Sequence, residues 1–190
     1  GETGTGKGLV ARALHGESRR AARPFVSVNC AALPEPLLES ELFGHARGSF
    51  TGATSSRSGL IASAEGGTLF LDEVGELSLS MQAKLLAVLE TGRYRAVGED
   101  RERQADVRVV SATHRDLSRA ETFRPDLRYR PEVVSLELPP LRSRPGDLPQ
   151  LVEHFLGASL ARHPASPVRR LNQAAMAVLA AHDWPGNVRE

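Results

Sequence analysis

Gly1-Glu2-Thr3-Gly4-Thr5-Gly6-Lys7 opens the chain and decides how the rest is read. It has the form G-x-x-x-x-G-K, in which glycines permit positive φ and let successive backbone N–H groups converge on a phosphate. Lys7 would then sit against the outer phosphates. Gly1, Glu2, Thr3, Gly4, Thr5, Gly6, Lys7 and the adjoining Gly8 are therefore the expected nucleotide-binding residues. The pattern fixes only three positions. It gains force if the chain also supplies a metal carboxylate, a water-activating group and a charge that reads the γ-phosphate.

Working outward, Leu9-Val10-Ala11-Arg12-Ala13-Leu14-His15 spaces its apolar residues helically, so a helix N-terminus follows the loop. Phe25-Val26-Ser27-Val28-Asn29 alternates after Pro24 and reads as a strand ending on a polar side chain. Residues 37–43 predict a short amphipathic helix. Residues 44–59 form a long stretch without periodicity, of the kind that in a compact domain is functional or disordered. Gly66-Gly67 breaks the chain before Thr68-Leu69-Phe70-Leu71-Asp72-Glu73, a β-rich run ending in two carboxylates. Leu79, Gln82, Leu85, Leu86 and Leu89 mark a helix beginning at Ser78 and closed by Gly92. Residues 94–98 read as a turn or small hairpin, and residues 107–113 as the next strand with His114 at its carboxyl end. A helix interrupted at Pro125 is expected over 117–129, and a last strand over 133–138. This alternation predicts an α/β fold with a mostly parallel sheet and helices on both faces.

Pro139-Pro140 and Pro145-Gly146-Asp147 separate the sheet region from a small helical lobe. Asp147 is expected to cap one helix, residues 171–181 form a second, and Asn187 is expected to cap a third. The domain boundaries predicted are 1–142 for the nucleotide-binding part and 143–190 for a helical lid. Trp184 reads as lid packing rather than contact with a base.

A chain of 190 residues holds one sizeable α/β core and a small second lobe. Its formal net charge of +1 does not argue for nucleic-acid binding by this piece. The single cysteine, Cys30, excludes an internal disulfide framework, suits a reducing cytoplasm and reads as a small core residue rather than a nucleophile. No apolar run approaches the roughly 20 residues of a membrane helix, and no signal peptide precedes the first motif, so a cytoplasmic location without membrane contact is expected.

Phosphoanhydride hydrolysis needs a cation holder, a positioned water and compensation for charge on the phosphates. Asp72, ending a buried strand, suits Mg²⁺, and Glu73 suits the polarisation of the attacking water. Asn29 could hold Glu73 by a hydrogen bond; taken alone it reads equally as a turn residue or a switch.

With these residues in place, the chain resembles the AAA+ ATPase domain of sigma-54-dependent transcription activators along nearly its whole length. The resemblance is carried by residues 1–7, 25–33, 41–53, 66–73, 107–117, 123–130, 138–147 and 184–190. It implies ATP and Mg²⁺ as cofactors and a hexameric or heptameric ring. It also implies that Gly48, Ser49, Phe50, Thr51, Gly52 and Ala53 form the signature loop that presses on sigma-54, with Phe50 and Thr51 in contact. His114 takes the first sensor position, Arg189 the second, and Arg124 and Arg130 the pair of arginine fingers that reach the neighbouring subunit's nucleotide. Arg119 and Arg128 read as a solvated helix face. The partners implied are sigma-54 and RNA polymerase, with promoter or enhancer DNA met only through a domain outside this chain.

Four positions depart from the family pattern: Gly8 where Glu is usual, Ser49 for Ala, Ala96 for a basic residue, and Pro131 after Arg130. The function expected is ATP-driven remodelling of the sigma-54 polymerase to open promoter DNA. The alternative is a nucleotide-dependent oligomerising regulatory module with weak or no sigma-54 activation. A phosphate loop ordinarily follows a buried strand. That strand is expected to be missing from an excised piece, which by itself is expected to turn ATP over poorly.

Overall fold

The computed structural model describes residues 1–117, 122–128 and 134–190. It divides into two compact units, Gly8–Ser135 and the combination of Gly1–Lys7 with Leu136–Glu190. The larger unit follows the start of α1 (Lys7–Gly16) with β1 (Phe25–Asn29), α2 (Glu35–Phe43), β2 (Gly44–His45), β3 (Arg57–Ser58), α3 (Leu60–Ser63) and β4 (Thr68–Asp72). It continues through α4 (Leu79–Thr91), β5 (Arg93–Arg95), β6 (Glu102–Gln104), β7 (Arg108–Ser111) and α5 (Pro125–Arg128).

β4 lies centrally in a parallel sheet of order β1-β4-β7, with Asn29 level with Asp72 and Leu71 level with Ser111. Its unbroken apolar run follows from being covered on both faces. Leu69 and Leu71 enter the core that contains Leu38, Leu42, Met81 and Leu85; truncating either to alanine would cost about 2–5 kcal/mol. Thr68 and Phe70 take the opposite face. There the Phe25 ring lies 6.1 Å from Phe70 and 5.2 Å from His15 of α1, whose Nδ1 is 2.9 Å from Thr68 Oγ1. Cys30 belongs to the core, and its thiol is pushed up to about 12 by burial and then by the charges of Asp72 and Glu73. It is inert packing, as its apolar setting implied.

Helix α4 begins and ends as its sequence dictates. Ser78 Oγ accepts from Met81 N–H at 3.3 Å, and Gly92 closes the helix at φ 68°. The Ser80 and Ser78 hydroxyls donate to Glu35 Oε1 at 2.5 and 2.7 Å, and these bonds hold the Glu35 carboxyl below its ordinary range.

Residues 44–59 lack periodicity, but within them β2 and β3 pair antiparallel and close the segment into a hairpin. Two expectations give way. Pro125 begins a short helix instead of interrupting a long one, which suits a residue with no N–H to donate in a first turn. Residues 134–138 form no strand, and Val134 and Leu136 are exposed. Alternation alone makes no strand without a ladder, and among the described residues nothing pairs with this run.

The smaller unit holds α6 (Leu148–Arg162) and α7 (Gln173–Ala181), with 3₁₀ turns at Leu141–Ser143, Pro145–Asp147 and Asn187–Arg189. Asn172 caps α7 by accepting from Ala175 N–H at 2.8 Å. Asp147 makes no side-chain cap to α6, because the 3₁₀ turn before it has already set helical dihedrals; its carboxylate meets Arg144 at 3.4 Å. Trp184 packs within the lobe, its Nε1–H donating to Leu179 O at 2.9 Å and its ring meeting His182 edge-on at 5.0 Å. Among the described residues no helix is long and apolar enough to cross a membrane.

Candidate functional site

The phosphate loop has the backbone its glycines foretold. Gly4 and Gly6 adopt φ of +82° and +101°, values that L side chains rarely take. At Gly4 the space is closed as well, since a Cβ would stand 2.2 Å from Gly186 O and 3.1 Å from Arg189 Cβ. Thr5 is buried and its hydroxyl donates to Glu2 O at 2.8 Å. Lys7 Nζ donates to the carbonyls of Gly1 and Glu2 at 3.1 and 3.2 Å, which holds an ammonium over the loop's own start. Successive N–H groups in such a turn, a helix N-terminus and a lysine are the donor set a nucleotide triphosphate requires.

Residues far along the chain hold this loop. Val188 N–H donates to Gly4 O at 3.0 Å. Arg142 grips the Glu2 carboxylate with two bonds of 2.9 and 2.5 Å, and Asn187 Nδ2 donates to Glu2 Oε2 at 3.1 Å and to Thr3 O at 3.0 Å. Asn187 Oδ1 accepts from Leu141 N–H at 2.7 Å, and Arg144 Nη2 donates to Thr5 O at 2.8 Å. Arg142 first, and then Asn187, hold the Glu2 carboxyl down at about 2. Asn187 is therefore a buried tie rather than the helix cap expected of it. Arg189, read as the second sensor, lies beside Gly4. Sequence reasoning gave no role to Arg142 or Arg144. Their only signal was the Pro-rich junction in which they stand.

In the larger unit, Asp72 ends β4 and Glu73 turns the chain into the left-handed region at φ 55°, which is uncommon for a residue with a side chain and recurs at functional sites. Asp72 Oδ1 accepts from Glu73 N–H at 3.1 Å. Glu73 Oε2 accepts from His114 N–H at 3.2 Å and lies 2.7 Å from His114 Nδ1. With the carboxylate ionised, Nδ1 carries the proton and donates. Asn29 sits level with Asp72, but its Oδ1 accepts from Ala31 N–H at 2.8 Å in a local turn. The contact expected of Asn29 at Glu73 is supplied by His114. Among the described residues no three acidic, histidine or cysteine side chains gather to hold a metal. A lone Asp72 fits Mg²⁺ nevertheless, because that ion is ordinarily held by one or two carboxylates together with water and substrate phosphates.

The Arg124 guanidinium is forked on Asp126 at 3.1 and 2.7 Å, and its backbone N–H donates to Gln82 Oε1 at 2.8 Å. Arg130, Arg119 and Pro131 lie outside the described residues. Phe50 and Thr51 stand at the tip of the β2–β3 hairpin, where Gly48 and Gly52 take φ of 80° and 100° and Gly48 N–H donates to Ala53 O at 2.8 Å. Phe50 is 41% exposed, and its ring meets His45 edge-on at 5.1 Å. Ala46 N–H donates to Val97 O, and Val97 N–H to Gly44 O, both at 2.9 Å; this docks the hairpin on the β5–β6 pair. Ser49 is packed so close to Gly98 that a Cβ on that glycine would stand 2.5 Å away, and among the described residues the Ser49 Oγ is buried without a hydrogen-bond partner. Ala96 is buried. Gly8 has ordinary van der Waals room for a side chain, with Phe70 at 3.8 Å from a Cβ built there.

This sheet, this loop and the carboxylate pair ending β4 define an α/β P-loop domain of AAA+ type. Residues 1–137 match the family described as the Sigma-54 interaction domain, and residues 142–190 match the AAA+ ATPase lid domain. The chain belongs to the sigma-54 interaction domain family. It is 51% identical over its full length to transcriptional regulatory protein GlrR of Escherichia coli (strain K12), covering 43% of that protein. Identity is 53% to the DNA-binding transcriptional regulator NtrC of Azospirillum brasilense, again over the full chain and 40% of the relative. The chain thus spans about two-fifths of the length of these relatives. Among solved structures, NtrX from Brucella abortus superposes with a TM-score of 0.89 at 40% identity, over 100% of this chain and 43% of that one. NtrX in complex with ATP gives 0.88 at 40% identity, over 99% of this chain and 41% of that one.

Proposed function

We propose that this chain is the Mg²⁺-dependent ATPase module of a transcription activator, which uses ATP turnover to press its Phe50-Thr51 loops on sigma-54 and let RNA polymerase open promoter DNA. The observation that carries the reading is the hairpin of residues 44–58, which presents an exposed Phe50 between two glycines at positive φ. An apolar ring held outward at that tip is suited to pressing on another protein. The relatives matched over the full chain are named as transcriptional regulators, which supports an activator over a module that merely assembles.

In this reading the residues of Gly1–Lys7, with Gly8 behind them, cradle the phosphates, and Asp72 holds the Mg²⁺. The ion supplies charge neutralisation on the phosphate oxygens. Glu73 accepts hydrogen bonding from the attacking water, and His114 fixes the direction of that carboxylate while reading the terminal phosphate. Asn29 is the polar end of the neighbouring strand, available to Glu73 when the carboxylate turns. Arg189 touches the nucleotide of its own subunit. Arg124 and Arg130 reach that of the next subunit in a hexameric or heptameric ring, where a guanidinium offsets transition-state charge. The nucleotide-binding part ends near residue 142 and the lid follows. DNA is met through a domain outside residues 1–190, and the protein works in the cytoplasm beside the polymerase.

ATP turnover and open-complex formation on a sigma-54 promoter, measured across a Mg²⁺ titration in the full-length protein, test this. Both should need Mg²⁺, and Glu73→Gln should abolish both while nucleotide binding persists. Turnover that ignores Glu73 would end the reading.

A further inference from the structure

Gln82 is fully buried in α4, three residues before Leu85 on the stripe that faces the core. A polar side chain survives there only when its groups are bonded, and this one is bonded at three points. Nε2 donates to Leu77 O at 2.8 Å and to Thr122 O at 2.9 Å, while Oε1 accepts from Arg124 N–H at 2.8 Å. Leu77 follows the 3₁₀ turn Val74–Glu76 that leaves Glu73. Thr122 and Arg124 flank Phe123, which is buried in the same core as α4. One amide therefore ties the backbone just beyond Glu73 to the backbone of Arg124. The far end of Arg124 is held separately by its fork on Asp126, whose Oδ1 also accepts from Leu127 N–H at 2.8 Å.

We propose that Gln82 is the positioning residue for Arg124. It sets the main chain from which that guanidinium is offered to the neighbouring subunit, and it links that main chain to the segment behind the same subunit's Glu73. The proposal rests on the reading of Arg124 as a group that acts in trans. A methionine at position 82 keeps the length and apolar packing of the side chain and removes all three bonds. A shift of the finger's backbone by about 1 Å is enough to lower turnover about 100-fold. Because the three bonds of Gln82 go to the main chain of Leu77, Thr122 and Arg124, the loss falls on kcat and leaves the ATP KM within about threefold.

The test is subunit mixing with full-length protein. Arg124→Ala and Glu73→Gln should each be inactive alone; mixed, they should recover turnover, because the Glu73→Gln subunits offer intact fingers to the intact sites of the others. Gln82→Met should behave as Arg124→Ala does, recovering with Glu73→Gln and not with Arg124→Ala. Recovery with Arg124→Ala, or with neither, would place the defect in the variant's own site or its general folding and overturn the proposal. A silent mixture of Arg124→Ala with Glu73→Gln would instead overturn the trans reading, and the proposal with it. Should Gln82→Met not assemble, Gln82→Leu, which likewise removes the acceptor for Arg124 N–H, takes its place in the same mixtures with the same outcomes.

Discussion

His114 and Glu73 meet twice: the imidazole Nδ1 lies 2.7 Å from Glu73 Oε2, and the histidine's own backbone N–H donates to that same oxygen at 3.2 Å. His114, three residues beyond the end of β7, thereby fixes the carboxylate that follows β4. Removing the imidazole takes away the closer of these two contacts on Glu73 Oε2. His114→Ala should lower kcat by about 10- to 100-fold, the usual effect of losing an orienting partner, with the ATP KM less affected. Asn at 114, which restores a donor, should recover part of the loss in steady-state ATPase assays.

Glu2 links acid stability to the lid. Its carboxyl is held at about 2 against an ordinary 4.5, chiefly by the bonds from Arg142. Since the folded-state value is depressed, the stabilisation is present above about 4.5 and is lost as pH falls toward 2. Glu2→Gln should therefore be less stable than the parent at neutral pH, and the two should converge at the acid end. The pair is exposed, so the deficit is small and shrinks in salt. Denaturant unfolding of both proteins across that pH window measures it.

Two glycines of one loop should answer oppositely to alanine. Gly4→Ala forces a Cβ into Gly186 O at 2.2 Å from a backbone at φ +82°, so it should destabilise the protein and abolish nucleotide binding. Gly8 lies in the first turn of α1 with room for a methyl, and Gly8→Ala should raise stability by up to about 1 kcal/mol. Thermal melting and nucleotide titration of the two variants separate these outcomes.

Ser49 carries a hydroxyl that, among the described residues, is buried without a partner. Ser49→Ala removes the uncompensated group at no cost in volume to the packing against Gly98, and should stabilise the protein by about 1 kcal/mol. That gain would appear as a rise of a few degrees in the melting midpoint.

The regular elements were legible because their signals are local. Leu69 to Leu71 is a continuous apolar run closed by Asp72, and α4 is bounded by Ser78 and Gly92, each performing the role its chemistry implies. Gly1–Lys7, Asp72 and Glu73 stood out as candidates from residue type alone. Illegible were the ties that depend on distant partners: Arg142 to Glu2 spans 140 positions and Asn187 to Glu2 spans 185, so no periodicity records them. The β2–β3 pair has two residues per strand, too few for alternation to appear. Gln82 did leave a trace, as the one amide on α4, where it shares the buried stripe of Met81, Leu85 and Val88, and its three bonds supply the reason.

The central claim is that Phe50 transmits what the ATP site releases. Its ring is 41% exposed and rests edge-on against His45, at the tip of a hairpin that contains none of the proposed nucleotide residues. The direct measurement is ATP turnover alongside nucleotide-dependent sigma-54 binding in full-length protein and its Phe50→Ala variant. Turnover of Phe50→Ala should stay within about twofold of the parent, while its sigma-54 binding is lost. Normal turnover with no sigma-54 engagement even by the unmutated protein, or undiminished engagement by Phe50→Ala, would contradict the claim.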